Sequence, residues 1–436
     1  MRVLAKNIIE EAKKNPDAEI EAYGWVHRVR DMGGVNFIIL RDRTGLTQLV
    51  LSEKPDLTLE SVIRVKGNPV LNEKAPGGAE LRVKTLEVIN RANPDLPFQV
   101  NGDVSKVGLE SILDNRTLSL RNPKIRSIFK VQATIVEAFS AYLRGQDFTE
   151  FKSSKLVGGA TEGGSSLFEV EYFDRKMCLA QSPQAYKQTM VVVGLERVFE
   201  VGPVYRAEKH ETSRHLTEYV SLDVEMGFIE SELDLIELER GLLGYVFQQV
   251  NEKNAEDLAA WGAAVPTPES VAAAPIISYE EALRIANDEA ARNAGKNKPG
   301  KLFDVNPEAE RLVCEWAARE KGTELVFVND FPRKERPFYT YPKDAANTMS
   351  FDALFRGLEI TTGGRRQDNY EALVGGLPKF GLKAENMEGY LSIFRYGCPP
   401  HGGFAIGLER LTQKILGLAN VKEACLFPRD RKRIAP

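Results

Sequence analysis

Four side chains able to hold phosphate and adenine gather around one polar loop in residues 198–229. Arg206 and Glu208 close a run of alternating apolar residues (Phe199, Val201, Val204), and Arg214 and His215 precede a second alternation at Tyr219, Ser221 and Asp223. The pattern predicts a hairpin that brings all four to one loop. Arginine forks match phosphate oxygens and a carboxylate accepts from an adenine amino group, so the set suits a nucleoside triphosphate. A charged surface hairpin is the plainer reading of an isolated R-x-E. Two further segments favour chemistry. In residues 351–366, Asp352 and Glu359 interrupt an apolar, strand-like run; such acids are often lone surface groups, but magnesium prefers one or two carboxylates plus substrate phosphates. In residues 396–410, four glycines precede Glu409 and Arg410, where a helical pattern begins at Leu408. Glycines let a backbone approach a flat ligand, and Arg410 stands at the helix start; a Gly-rich turn capping a core helix is the alternative.

These groups need a scaffold, and the chain is long enough to supply one. Its 436 residues, 43% hydrophobic and 28% charged, suit two or three globular domains. No run approaches the length of a membrane helix, and the N-terminal pattern is a charged amphipathic helix, not a secretory signal. The four cysteines (Cys178, Cys314, Cys398, Cys425) are scattered without C-x-x-C spacing, which points to a reducing, cytoplasmic setting with no disulfide framework and no structural zinc. A net charge of −4 argues mildly against a nucleic-acid coat protein, but local basic groups such as Arg28/Arg30, Arg41/Arg43 and the tail at 429–433 can act locally. Residues 19–95 read as five short strands between Gly, Asp and Asn turns, the pattern of a small closed barrel. Residues 91–114 carry linker chemistry. A helical pattern over 122–143 is followed by a strand at 148–151. Residues 255–301 are alanine-rich and read as a helical insertion.

Together and in this order, the three charged segments resemble the signature motifs of class II aminoacyl-tRNA synthetases. Arg206-x-Glu208 resembles motif 2, and Gly407-Leu408-Glu409-Arg410 resembles motif 3. The likeness runs from about residue 19 to 436 and is strongest to the aspartyl, asparaginyl and lysyl subgroup. It implies an α+β multidomain chain: an N-terminal OB-fold β-barrel plus a class II catalytic domain, an antiparallel β-sheet flanked by helices. The expected division is 1–95 anticodon-binding barrel, 96–120 linker, and 121–436 catalytic domain with the insertion at about 255–301. The helix and strand near 122–151 resemble motif 1 and imply a homodimer, although Ser153-Ser154 stands where the family usually has Thr-Pro.

Residue roles follow from the resemblance. Arg206, Glu208, Arg214, His215, Leu216, Glu359, Gly407, Glu409 and Arg410 would bind ATP, with Arg206, Arg410 and Glu359 catalytic. Magnesium would sit on Glu359, Thr362 and Asp352. Segment 180–187, AQSPQAYK, resembles aspartyl enzymes, and the tail LFPRDRKRIAP resembles those of the archaeal/eukaryotic type. There Lys187 and Arg366 would hold the β-carboxylate of L-aspartate; Glu162, Gln184, Arg206 and Thr362 complete the substrate set. On the barrel, Phe37 would stack on an anticodon base beside Arg30 and Gln48; the same residue also reads as a core aromatic. His27 and Pro76 resemble the pattern of enzymes that charge both tRNA(Asp) and tRNA(Asn), the product Asp-tRNA(Asn) then needing a tRNA-dependent amidotransferase. His27 is expected to donate or accept according to its tautomer. The alternatives are an aspartyl enzyme strict for tRNA(Asp) and an asparaginyl enzyme.

Overall fold

The computed structural model describes residues 2–32, 35–53, 55–159, 167–208, 212–294 and 300–435. They form two compact units, Met1–Asn122 and Pro123–Pro436. No described helix is long and apolar enough to cross a membrane.

The first unit is built on strands β1 (Ile20–Asp31), β2 (Asn36–Arg41), β3 (Leu46–Leu51), β4 (Val62–Leu71) and β5 (Ala79–Asn90), closed into a barrel in the order β1-β2-β3-β5-β4. Alternate residues point inward: Val26, Ile38, Leu49, Ile63, Val65 and Leu81 are wholly buried, and helix Ile8–Lys14 adds Ile8 and Ala12. Burying each large aliphatic stabilises by about 1.5–3 kcal/mol, and closure leaves no strand edge exposed. Residues 96–120, expected as a linker, contain two short helices, Leu109–Asp114 and Arg116–Ser119, and belong to the same compact unit as the barrel.

The second unit adds β6 (Thr149–Glu150), β7 (Leu156–Val157), β8 (Glu169–Tyr172), β9 (Arg175–Leu179), β10 (Arg197–Tyr205), β11 (Glu218–Gly227), β12 (Ile276–Ser278), β13 (Leu325–Asn329), β14 (Ser350–Phe355), β15 (Leu358–Arg365) and β16 (His401–Gly407). Eight of them make one sheet, β12-β13-β14-β15-β16-β11-β10-β6, and β7-β9-β8 make a small second sheet. The large sheet is antiparallel apart from the parallel pairs β10–β6 and β12–β13. Period-2 alternation sorts its residues by face. Phe199, Leu222, Val224, Phe351, Phe404 and Ile406 face helices Pro123–Gly145 and Glu232–Lys253 and form the core. Residues on the other face of the sheet, among them Asp223, Thr362 and Ala405, are free to line a site.

Three expectations change in detail. The run at 351–366 is a hairpin, not one strand, turning at Arg356 and Gly357, whose φ values are 49° and 75°. The glycine-rich segment before Arg410 is the central strand β16 rather than a turn. A Cβ on Gly403 would lie 2.0 Å from the Val224 carbonyl oxygen and 2.1 Å from a Glu225 carboxylate oxygen, so that glycine serves strand packing, not approach to a ligand. The insertion at 255–301 is not wholly helical, because β12 adds an edge strand to the main sheet.

Behind the sheet, Thr361 donates to Glu239 at 2.6 Å. Glu239 is fully buried on helix Glu232–Lys253, its second oxygen has no partner, and burial pushes its carboxyl up to about 8. The folded protein therefore keeps this group protonated where the unfolded chain would release the proton. Its contribution to stability is fullest below the ordinary glutamate value and is lost as pH rises toward 8. Glu239→Gln should thus gain in Tm relative to the parent as pH goes from 5 to 8, by a few degrees. A difference that stays constant across that range would contradict this protonation state.

Candidate active site

The front of the sheet holds a cavity of about 320 Å³, within the range of small-molecule sites. All three charged segments meet there. Gln184 and Lys187 come from helix Gln184–Met190, and Arg206, Glu208, Arg214, His215 and Leu216 from the end of β10 and its loop. Glu359, Thr362 and Arg366 come from β15 and its exit, and Gly407, Glu409 and Arg410 from the end of β16 and the helix Leu408–Leu416. Glu162 lies outside the described residues.

One end of the cavity is a buried ion cluster. Lys187 and Arg366 are 1% and 6% exposed, yet both reach the wall. Lys187 Nζ lies 3.1 Å from Asp223 and 3.3 Å from Glu225. Arg366 donates to both Glu225 oxygens, at 2.9 and 3.1 Å, and to the Gly403 carbonyl at 2.9 Å. Burial alone would raise the Glu225 carboxyl, but Arg366 and Lys187 outweigh it and hold its pKa below the ordinary glutamate value. Glu225 stands behind the wall and Asp223 in it. Beside them the Gln184 side-chain nitrogen is buried without a hydrogen-bond partner, as expected of a group waiting for a polar ligand.

The other end is arginine-rich. Arg410 donates to the Glu359 carbonyl at 3.1 Å and its guanidinium lies 3.5 Å from the Glu359 carboxylate. Arg206 lies over the Tyr219 ring at 5.7 Å, and the Thr212 hydroxyl and His215 Nδ1 are 2.7 Å apart. Glu409 lines the cavity, but its oxygens accept from the Val220 amide at 3.1 and 3.2 Å; burial pushes its carboxyl up to about 7 against that bond.

The oxygen set fits magnesium in part. Thr362 donates to Glu359 at 3.1 Å, and both are at the wall. Asp352 is not: it is buried behind them with Arg336 at 2.8 Å. Burial, with Glu359's charge adding to it, pushes Asp352 up to about 7 against the pull of Arg336 and Thr362. Among the described residues no three acidic, His or Cys side chains form a ready metal cage. Two wall oxygens suit a hard cation completed by substrate phosphates and water. Asp352 as a direct ligand is corrected to a buried neighbour, because its carboxylate is taken by Arg336.

On the barrel, cross-strand pairs share a face. Arg30 faces Phe37, and Ile39 faces both Arg28 and Gln48, so Arg28, Arg30, Phe37 and Gln48 share the outer surface. Phe37 is half-buried there, not a core aromatic; Gln48 donates to Glu80 at 2.9 Å; Pro76 opens a short turn nearby in sequence. His27 differs from expectation. It occupies a bulge, is 8% exposed, and its Nδ1 lies 2.9 Å from Arg41 Nη1. Arginine can only donate, so Nδ1 accepts and the tautomer is fixed. Arg41 itself is 1% exposed and paired with Glu60 at 2.6 Å, which removes it from the candidate basic surface.

A family model described as tRNA synthetases class II (D, K and N) matches residues 108–431. The chain belongs to that family. A second model, for an OB-fold nucleic acid binding domain, matches residues 20–89 of the synthetase. It is 46% identical, over the full length of both chains, to a Thermus thermophilus protein named aspartate–tRNA(Asp/Asn) ligase. It is 44% identical to one of the same name from Deinococcus radiodurans, with 99% of each chain covered. Among solved structures, asparaginyl-tRNA synthetase from Pyrococcus horikoshii bound to asparaginyl-adenylate matches with a TM-score of 0.87 at 32% identity, covering 98% of each chain.

Glu225, Asp223 and Arg336 do not stand out in the sequence as site residues. The first two carry a signal nonetheless: acids at alternate positions of an apolar strand, SLDVEM, on the face opposite Leu222 and Val224. Removing one partner from a buried ion cluster strands the others. Glu225→Gln should therefore destabilise the synthetase by about 3 kcal/mol in denaturant unfolding. A change below about 1 kcal/mol would mean Lys187 and Arg366 do not depend on it.

Proposed function

We propose that this synthetase ligates L-aspartate to tRNA, using ATP and passing through an aspartyl-adenylate. The observation that carries the reading is the convergence of Lys187 and Arg366 on one wall of the cavity, braced by a shared Glu225. A side-chain carboxylate can make charge-assisted bonds to both cations there, which a neutral asparagine amide cannot. The Asp/Asn ligase names of the Thermus and Deinococcus relatives agree with it.

The aspartate α-carboxylate oxygen attacks the ATP α-phosphorus as the bond to pyrophosphate breaks. A ribose hydroxyl at the tRNA terminus then attacks the acyl carbon and AMP leaves. This chemistry asks the protein for position and charge rather than covalent help. Arg206 grips the α-phosphate; Arg410, Arg214 and His215 take the outer phosphates; Glu208 faces the adenine. Gln184 and Glu162 orient the amino acid. Magnesium, held by Glu359 and Thr362, would neutralise phosphate charge. Helix Pro123–Gly145 with β6, the counterpart of motif 1, is where a second copy would dock. Where the family has Thr-Pro this chain has Ser153-Ser154, and Ser153 donates to Glu200 from its amide at 2.8 Å and its hydroxyl at 2.6 Å.

ATP–pyrophosphate exchange should proceed at least about a hundredfold better with aspartate than with asparagine or lysine. Preference for asparagine would replace this reading with the asparaginyl one, which the Pyrococcus structure keeps in view.

The proposed tRNA range covers tRNA(Asp) and tRNA(Asn), with Phe37 stacking on the anticodon and Arg30 and Gln48 beside it. Pro76 supports this range because it has no amide with which to select one base. Asp-tRNA(Asn) would then require an amidating enzyme downstream. Transcripts of both tRNAs should be aspartylated at rates within about tenfold, since a rejected base typically costs about 1–3 kcal/mol. No charging of the asparagine transcript would make the enzyme strict.

A further inference from the structure

Glu310 belongs to none of the three charged segments, yet it joins two of them. It lies in the first turn of helix Pro307–Lys321, and its side chain is 8% exposed. One oxygen, Oε2, accepts from Arg214 Nη2 at 2.5 Å and from the Glu359 main-chain amide at 2.9 Å. Arg214 comes from the loop after β10. Glu359 stands beside a register shift in β15, where Ala353 pairs with Thr361 but Leu354 pairs with Glu359. Glu310 itself does not reach the cavity wall, whereas Arg214 and Glu359 both do. A loop arginine has many rotamers to lose on binding, and its guanidinium presents its donors in a rigid fork. The bond to Glu310 engages Nη2 and restrains the fork before any ligand arrives.

We propose that Glu310 is a positioning residue for the nucleotide: it aims Arg214 into the cavity and locks it in register with Glu359. The proposal rests on the reading that the cavity takes ATP. The charge is essential to it, because a charge-assisted bond is shorter and about twice as strong as a neutral one. Glutamine at this position would still accept from the Glu359 amide but would hold Arg214 weakly. The strand contact and the arginine contact are thereby separable.

The test is ATP–pyrophosphate exchange on the full-length enzyme with Glu310→Gln, Glu310→Asp, Arg214→Ala and the Glu310→Gln/Arg214→Ala double variant. Glu310→Gln should raise KM for ATP about tenfold while KM for aspartate stays within about twofold, the loss expected of one charge-assisted bond. Glu310→Asp, which keeps the charge on a shorter arm, should fall between parent and Glu310→Gln. In the Arg214→Ala background, Glu310→Gln should add less than about twofold, because the two act as one unit. An unchanged KM for ATP, multiplying effects in the double variant, or parallel rises in both KM values would overturn the proposal. If Glu310→Gln does not fold, the same cycle run with Glu310→Asp should show the same selective rise in KM for ATP and the same lack of additivity with Arg214→Ala. Failure of the parent enzyme to exchange ATP would instead count against the nucleotide reading itself.

Discussion

Lys187 and Arg366 leave water almost entirely, and neither could do so alone. Desolvating an ion costs several kcal/mol, and only close opposite charge with full hydrogen bonding offsets it. Glu225 supplies that charge to both, with Asp223 as a second partner for Lys187. Much of the local architecture answers to this cluster. Helix Gln184–Met190 must bring Lys187 over β11, β15 must end where Arg366 can turn back, and Gly403 must lack a side chain so that the Glu225 carboxylate fits against β16. The Arg366 amide is anchored as well, donating to the His401 carbonyl at 2.8 Å. His401 is itself wholly buried between Gln188 and the Pro399 carbonyl, and burial holds its pKa below the ordinary histidine value. The end proposed to take the amino acid is therefore a rigid box whose two cations are braced by two carboxylates.

The end proposed to take the nucleotide is built differently. Arg214 and Arg410 side chains are 21% and 27% exposed, against 2% and 7% for Lys187 and Arg366. Such exposure would suit the proposed nucleotide, whose charge is large and must leave as pyrophosphate, because screened arginines could bind it without trapping it. What keeps this open end ordered is the irregularity in β15. At Glu359 the main-chain amide goes to Glu310 and the carbonyl to Arg410, so the residue beside the register shift anchors a loop arginine's partner and a helix arginine. Bulges commonly re-aim side chains in this way. On the opposite face, Thr361 is pinned by a buried, protonated Glu239. The strand carrying Glu359 and Thr362 is thus held from both sides of the sheet.

Much of this was legible because period-2 alternation and signature spacing are local properties. The barrel, the hairpin of β10 and β11, and the meeting of Arg206, Glu359 and Arg410 in one cavity agree with what the residues implied. What stayed hidden depends on distant partners. Glu310 sits in an ordinary Asn-Pro-Glu helix start, and nothing near it in sequence marks it as a partner for Arg214. Asp352 looked equal to Glu359 as a metal ligand; Arg336, sixteen positions earlier and otherwise unremarked, is what removes it. The glycines of β16 looked like room for a ligand because sequence does not reveal which neighbour comes close. Arg41 looked like surface charge until Glu60 supplied a buried counter-ion.

That last pair bears on how the barrel would read an anticodon. Arg41 donates to both Glu60 oxygens, at 2.9 and 2.6 Å, and Arg121 donates to the same carboxylate at 3.1 Å. Burial would raise Glu60, but these arginine bonds outweigh it and its pKa falls below the ordinary value. Arg41 is therefore fixed in place, and with it the ring of His27, whose Nδ1 must accept. A histidine so fixed offers one polarity. It cannot present a donor to the uracil carbonyl and an acceptor to the cytosine amino group by switching tautomer. A relaxed tRNA range would then need a different cause: absence of any group that penalises the wrong base. Specificity is a difference of affinities, and discrimination usually needs a clash or an unpaired polar atom against the competitor. Pro76, with no amide to leave unsatisfied, provides no such penalty, so under the proposed relaxed range the turn at Pro76–Gly78 would be the permissive element rather than the histidine.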